Sequence, residues 1–243
     1  MPATTTSDLL HLLTREPGRP RITWYGDGGE RVELSGAVLE NWVSKTTNLL
    51  VEEFDAGPGT RVRLDLPGHW RTLVWALATW RTGAEVVMTD RDDEPVGLVV
   101  SDRPDRWPSA DPLVVVALPA LARSFPGALP PRAIDAAAAV MTYGDVVGWA
   151  PATEAGASAL PGVAHGALLA HAQSAFPADA AGRVLLDAGA DRSSDVLVRT
   201  LATLARNGSV VLTSAAVADE LRHDEPRRAR LVDSERITDD ELG

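Results

Sequence analysis

The sequence contains no cysteine among its 243 residues. Disulfide bonds, thiol nucleophiles and cysteine-ligated metal centres are therefore excluded, and the composition fits a reducing compartment. Lysine is almost as scarce, because Lys45 is the single lysine and every other basic residue is an arginine.

Positive charge is also in short supply. The chain has 34 acidic and 23 basic residues, and its formal net charge is −11. Such a protein is repelled by nucleic acid and by anionic lipid surfaces, so neither is expected as a partner. The opening residues have no basic segment before a long apolar run, and no stretch has the length of a membrane span. We therefore expect a cytoplasmic protein.

Several motifs of known chemistry are absent. No G-x-S-x-G or G-x-x-x-x-G-K-[ST] pattern occurs, and no G-x-G-x-x-G follows a predicted strand. Asp187, Asp191 and Asp195 are spaced by four residues, but a glycine between them argues against a helical carboxylate face. His165 and His171 are six residues apart and would lie on different faces of a helix. The sequence therefore assigns no catalytic residue and no metal ligand.

Short β-prone runs alternate with amphipathic segments along the chain, and 45% of the residues are hydrophobic. Residues 21–34 predict a β-hairpin around a glycine-rich turn, and residues 61–89 predict a strand, a helix and a parallel strand. Further strands are predicted at 146–149 and 229–232, and residues 233–243 are predicted to be a frayed acidic tail. The expected fold class is α/β, with a mostly parallel sheet flanked by helices and starting with a β-hairpin.

Four short motifs occur in a fixed order along the chain. They are Gly57-Pro58-Gly59-Thr60-Arg61-Val62, then Leu66-Pro67-Gly68, then Arg81-Thr82-Gly83-Ala84, and finally LATLARNGSVVL at 201–212. Their order and spacing resemble those of the N-terminal domain of AMP-forming acyl-CoA synthetases, the adenylate-forming superfamily. The length is similar to that of small actinobacterial proteins that have a truncated form of this domain.

The resemblance implies a single domain over residues 1–243. It would consist of a leading helix or arm at 1–17, an α/β core at 18–232 and the acidic tail at 233–243. Full adenylate-forming enzymes are much longer and carry a further sheet domain and a mobile C-terminal domain. We therefore expect surfaces that those domains cover in the longer relatives to be free here for a protein partner or a second copy of the chain.

The stretch Ala150–Ala172 holds the place of the family's phosphate loop, which is rich in Ser, Thr and Gly and carries a Lys after its Pro. A small-residue loop before a helix can hold a phosphate on backbone N–H groups. Only Gly156 and Ser158 match the family pattern, with Thr153 just upstream, and a glycine directly follows Pro161 where the lysine is expected. Each lost charge-assisted hydrogen bond forfeits roughly 1.5–3 kcal/mol, so ATP would be held more weakly.

Three functions remain open from the sequence. The first is a catalytically degenerate domain that binds a protein partner or small ligand, with no cofactor. The second is a half-enzyme that binds ATP or AMP through Thr153, Gly156 and Ser158 and is completed by another chain for acyl adenylation. The third is a structural module that self-associates. Trp75 lies off the main apolar face of its predicted helix and could mark a partner surface.

Overall fold

The structure is a computed structural model that describes residues 3–88, 95–178, 181–189 and 192–243. Its α-helices, in chain order, are α1 (Thr6–Thr14), α2 (Gly36–Phe54), α3 (Trp70–Arg81), α4 (Ala136–Ala139), α5 (Leu168–Ala175), α6 (Ser193–Ala205), α7 (Ala215–His223) and α8 (Glu225–Ser234). Its strands are β1 (Pro20–Tyr25), β2 (Arg31–Ser35), β3 (Arg61–Asp65), β4 (Glu85–Val87), β5 (Leu98–Ser101), β6 (Leu113–Val115), β7 (Ile134–Asp135), β8 (Ser158–Leu160), β9 (Val163–Ala164), β10 (Arg183–Asp187), β11 (Ser209–Thr213) and β12 (Asp239–Asp240). The chain divides into two compact units, which are described separately.

The first unit comprises the described residues of Met1–Leu39, Pro67–Leu73 and Leu169–Gly243. Its sheet has the strand order β12-β10-β11-β1-β2 and is parallel except for the hairpin of β1 and β2. The apolar runs of β10 and β11 are typical of strands covered on both faces, and both strands are almost wholly buried. One core cluster of this unit consists of Leu185, Val211, Val217, Ala218, Leu221 and Leu242.

The second unit comprises Glu40–Leu66 and the described residues of Val74–Leu168. Its main sheet has the order β4-β3-β5-β6-β7, and every pairing in it is parallel. Strand β4 lies on one side of β3, whereas β5, β6 and β7 follow in order on its other side. Ligands bind at such a switch point in many open α/β sheets, at the carboxyl ends of the strands.

The expected fold class is confirmed, since the chain is α/β, mostly parallel and begins with an antiparallel hairpin. The predicted strand, helix and strand over 61–89 are also confirmed, with β3 and β4 paired in parallel; residue 89 itself lies outside the described residues. The strands are divided between two main sheets.

Two predicted strands are wrong. Residues 146–149 form bends and irregular backbone. Strand β8 lies within the stretch predicted to be a loop, and β9 occupies the first two residues of the helix predicted at 163–176, which begins only at Leu168. Residues 229–232 lie inside helix α8. The Asp224 side chain caps that helix by accepting the N–H of Arg227, and a proline in its first turn favours the helical backbone.

The prediction of a frayed tail is also wrong. Strand β12 pairs in parallel with β10, and Leu242 is buried in the core of the first unit. The Arg228 guanidinium of α8 forms an ion pair with Asp240 at 2.7 Å, so this acidic side chain of the tail is paired with a basic one. Apolar side chains among the acidic ones thus hold the tail in place.

Glu235, near the start of this tail, is 8% exposed and joins several strands of the first sheet. Its carboxylate accepts the hydroxyl of Tyr25 at 2.6 Å and two N–H groups of Arg31 at 2.8 and 3.1 Å. It also accepts a guanidinium N–H of Arg183. Burial opposes the charge, but these donors outweigh it and hold the pKa of Glu235 below its usual value.

Candidate functional site

The predicted phosphate loop folds as a short hairpin in the second unit. Strands β8 and β9 are antiparallel and are joined by the turn Pro161-Gly162, where Gly162 has a φ of +79°. The indole N–H of Trp80 donates to the carbonyl of Ala159 at 2.8 Å, and both residues are fully buried. The hairpin is therefore anchored from inside the unit.

At the start of the helical segment that follows the hairpin, backbone N–H groups are already hydrogen-bonded to the preceding loop. A 3₁₀ turn at His165–Ala167 leads into α5. The N–H of His165 donates to the carbonyl of Ala157 at 2.9 Å, and the N–H of Gly166 donates to the carbonyl of Ala155 at 2.9 Å. N–H groups at the start of a helix are among those that can bind a phosphate in this kind of site. Here the N–H groups of His165 and Gly166 are already bonded to carbonyls of the loop.

The three predicted nucleotide-binding residues lie on one exposed strip of chain. Thr153 is in irregular backbone, Gly156 is in a turn and Ser158 begins β8. The Ser158 hydroxyl donates to the carbonyl of Leu160 at 2.9 Å, within its own hairpin. A side chain added at Gly156 would meet open space. The strip is accessible, and its role in nucleotide binding stays a prediction.

The two histidines of this stretch differ in environment. His165 is 4% exposed, and its burial lowers its pKa, although the nearby backbone of Gly83 and Ala84 partly opposes that shift. His171 is exposed on α5. Among the described residues, no group of three or more His, Asp or Glu side chains is arranged to hold a metal ion.

Of the three spaced aspartates, Asp187 is engaged structurally in the first unit. It binds Arg222 at 2.7 Å and accepts the N–H of Gly189 at 2.8 Å. Asp195 is exposed at the start of α6, and Asp191 lies outside the described residues. The bonds of Asp187 explain its burial at the end of β10.

Trp75 does not form a partner surface. It is 3% exposed and belongs to the buried face of α3, so that prediction is wrong. The helix is covered on more sides than its apolar stripe suggests, because Trp70, Trp75 and Trp80 are all buried. Trp149, in contrast, is 65% exposed.

The switch point of the second sheet carries a polar cluster that the sequence motifs did not reveal. At the carboxyl end of β3, Asp65 accepts the hydroxyl of Ser101 at 2.7 Å and the indole N–H of Trp107 at 2.8 Å. It also accepts guanidinium N–H groups of Arg103 at 2.6 Å and Arg106 at 2.8 Å. Asp65 is the last residue of β3 and Ser101 is the last residue of β5, the strand beside it, and this placement is the signal that could have identified the cluster.

The chemistry of this cluster is that of a saturated ion pair. Burial raises the pKa of Asp65, but the Trp107 and Ser101 hydrogen bonds and the two arginines outweigh it, and the pKa lies below its usual value. A carboxylate offers about four lone-pair sites, and four donors occupy them here. Asp65 is therefore held ionised with no acceptor site left for a substrate proton.

No helix in the described parts of the chain has both the length and the apolar composition needed to cross a membrane.

No protein-family model matches the chain. A curated TIGR03089 family protein of Mycobacterium tuberculosis is 37% identical to it over 158 residues, which cover 60% of this chain and 63% of that relative. The aligned part is thus less than two thirds of the relative's length.

Solved structures of much larger proteins have a similar fold. An acyl-CoA synthetase of Brucella canis superimposes with a TM-score of 0.66 at 15% identity, covering 90% of this chain and 45% of that one. The nonribosomal peptide synthetase FmoA3, in an AMPPNP-bound form, gives a TM-score of 0.58 at 16% identity, covering 87% of this chain and 23% of that one. The chain therefore has the fold of a part of these synthetases, which is the fold that the motif resemblance implies.

Proposed function

We propose that this chain is a catalytically degenerate relative of the N-terminal domain of adenylate-forming enzymes, and that it acts by binding a protein partner. The observation that carries the proposal is the closed helical entrance at His165 and Gly166. Their N–H groups are already bonded to carbonyls of the preceding loop. A phosphate would have to displace these bonds before it gained any of its own.

The side chains of the hairpin support the same proposal. The Ser158 hydroxyl is used within the hairpin, and no lysine follows Pro161. Without a lysine and two hydroxyl donors, each worth roughly 1.5–3 kcal/mol when bonded to a charged group, ATP loses several kcal/mol of binding free energy. Such a loss weakens binding by more than a hundredfold, because each 1.4 kcal/mol corresponds to about tenfold.

The decisive assay is ATP–pyrophosphate exchange by the purified chain across a panel of carboxylic acids. We expect exchange no faster than in a protein-free control for every acid. An active acyl-CoA synthetase, assayed in parallel, verifies the reagents. Carboxylate-dependent exchange by this chain would refute catalytic degeneracy.

The rival function is nucleotide binding by a half-site that another chain completes for acyl adenylation. The exposure of Thr153, Gly156 and Ser158 favours it, since an exposed strip can be covered by a partner. At a nucleotide concentration about 100 times Kd, binding would stabilise the fold by about 2.7 kcal/mol, or roughly 5–10 °C in Tm. We expect no such shift with ATP or AMP.

Matched variants show whether a nucleotide-dependent shift in Tm, if one is observed, comes from the half-site. Ser158→Ala and Gly156→Val should abolish a shift caused by the half-site, whereas Ser124→Ala and Gly18→Val should preserve it. Gly156 and Gly18 both have open space for a side chain, and Ser124 is exposed elsewhere in the second unit. A shift lost only in the first pair would establish the rival function.

A further inference from the structure

Residues 141–149, here called the clamped segment, are fixed to helix α2 by polar contacts. The Asn48 amide donates to the carbonyls of Gly144 at 3.2 Å and Val146 at 2.9 Å, and accepts the N–H of Gly148 at 3.2 Å. Asn48 is only 5% exposed. The segment has no regular secondary structure beyond its first turn, and Asn48 fixes its backbone from inside.

Two further residues of α2, Lys45 and Glu53, contact the same segment. The Lys45 ammonium donates to the carbonyl of Tyr143 at 2.7 Å and binds Asp145 at 2.6 Å. The Tyr143 hydroxyl donates to Glu53 at 2.6 Å. Lys45 and Asn48 are three residues apart and share a face of α2. Lys45, Asn48 and Glu53 thus hold the segment between Tyr143 and Gly148.

The apolar side chains of the clamped segment face outward. Met141 is 58% exposed, Val146 is 79% exposed and Trp149 is 65% exposed. Polar contacts thus hold the segment, while large apolar groups on it meet water. Three of the six large apolar residues that are exposed in the described parts of the chain lie within these nine residues, and such a concentration is typical of an interaction surface. Tryptophan is also among the residues that contribute most to binding at protein interfaces.

The surroundings of this surface are acidic. Glu52 and Glu53 are exposed on α2, and Asp145 is exposed within the clamped segment. Lys45 is the basic group in contact with the segment, and its charge is paired with Asp145. A second copy docked through a two-fold axis would place like charges against one another, which opposes self-association.

We propose that the clamped segment is the docking surface for a different protein, which inserts an apolar side chain against Val146 and Trp149 and flanks it with arginine or lysine. This inference deepens the proposed function and names the face of the partner interaction. Charge complementarity with Glu52 and Glu53 sets the basic flanks. The fixed backbone lowers the ordering cost of binding, because the segment is in place before a partner arrives.

The test uses a library of random dodecapeptides selected on the full chain and counter-selected on the double variant V146S/W149S. We expect enrichment of peptides with an aromatic or aliphatic residue flanked by basic residues. An enriched peptide should bind the double variant at least about tenfold more weakly than the wild type. Leu121→Ser is the matched control, since Leu121 is 94% exposed elsewhere in the second unit and its loss should leave binding unchanged.

The charge contribution is tested by Glu52→Gln, which should weaken binding severalfold, while Glu154→Gln should not; added salt should weaken wild-type binding as well. No enrichment, enrichment of acidic flanks, or equal binding to V146S/W149S would overturn the proposal. Self-association of the wild type that V146S/W149S abolishes would overturn it in favour of a second copy. Nucleotide exchange is measured separately, so an active enzyme would refute the degeneracy without affecting the peptide result.

Discussion

Replacing Asn48 by alanine should loosen the clamped segment without unfolding the rest of the chain. The side chain makes three hydrogen bonds to the backbone of this segment, to Gly144, Val146 and Gly148. Its replacement removes all three at once and adds no bulk. Lys45 and its contact with Tyr143 remain in the variant.

The size of the effect follows from those bonds. A net hydrogen bond contributes about 0.5–1.5 kcal/mol, so three bonds give an upper range of about 2–4 kcal/mol. Gly144, Val146 and Gly148 are exposed, so water can replace part of the loss, and we expect about 2 kcal/mol. In a chain of this size that corresponds to a Tm decrease of roughly 4–8 °C if the loss is global.

Hydrogen exchange separates a local effect from a global one. In Asn48→Ala the amide of Gly148 should exchange at least about tenfold faster, while the amides of the β3 and β5 strands keep their protection. Asn48→Asp should be at least as damaging, because it places a carboxylate oxygen against two carbonyls. Glu52→Ala on the same helix should stay within about 0.5 kcal/mol. Unchanged Gly148 exchange in Asn48→Ala would show that these hydrogen bonds do not hold the segment.

Three further predictions concern the first unit. Burial and the charge of Arg71 lower the pKa of His69 to about 3, so the unfolded chain binds a proton near pH 6.5 that the folded chain does not. As the pH is lowered from about 6 to about 4, the free energy of unfolding of the wild type should therefore decrease, by about 1.4 kcal/mol per pH unit more than that of His69→Gln. Parallel pH curves for the two proteins would contradict this. Glu235→Gln removes the buried carboxylate that pairs with Arg183, whose side chain is 13% exposed, and should cost roughly 3 kcal/mol in urea unfolding; a loss below about 1 kcal/mol would mean that the network is dispensable. A Cβ at Gly36 would lie 2.2 Å from a backbone carbonyl oxygen of α1, so Gly36→Ala should cost roughly 2–3 kcal/mol by overpacking, whereas Gly18→Ala, in open space, should be neutral in the same melt.

Local signals in the sequence were sufficient for much of the fold. The hairpin of β1 and β2 follows from a glycine-rich turn between two alternating runs. The β3-α3-β4 unit follows from two buried strands on either side of an amphipathic helix that ends at Gly83, whose φ is +82°. In both cases neighbouring residues supply the information.

Two elements near the end of the sequence differ from the prediction for different reasons. Strand β12 has only two residues, and its pairing with β10 cannot be inferred from its acidic sequence. In α8 the apolar residues 229–232 suggested a strand, although the cap at Asp224 and the proline at 226 were available as helix signals. The first error reflects tertiary pairing, and the second a start signal that was overlooked.

The candidate site divides in the same way. The absent lysine and missing hydroxyl groups of the phosphate loop are visible in the sequence. The bonds from His165 and Gly166 to the loop carbonyls depend on backbone geometry, which no residue type specifies. The exposure of Trp149 and the burial of Trp75 were likewise not predictable, because both depend on what the rest of the fold covers.

The pairing of β1 with β11 has a consequence for how the chain folds during its synthesis. Ile22 lies beside Val210 in the first sheet, whereas all strands of the main sheet of the second unit lie between residues 61 and 135. The hairpin of β1 and β2 must therefore wait with an unpaired edge until β11, Ser209–Thr213, has left the ribosome. We expect this edge to be the part of the nascent chain most exposed to mispairing and most in need of a chaperone.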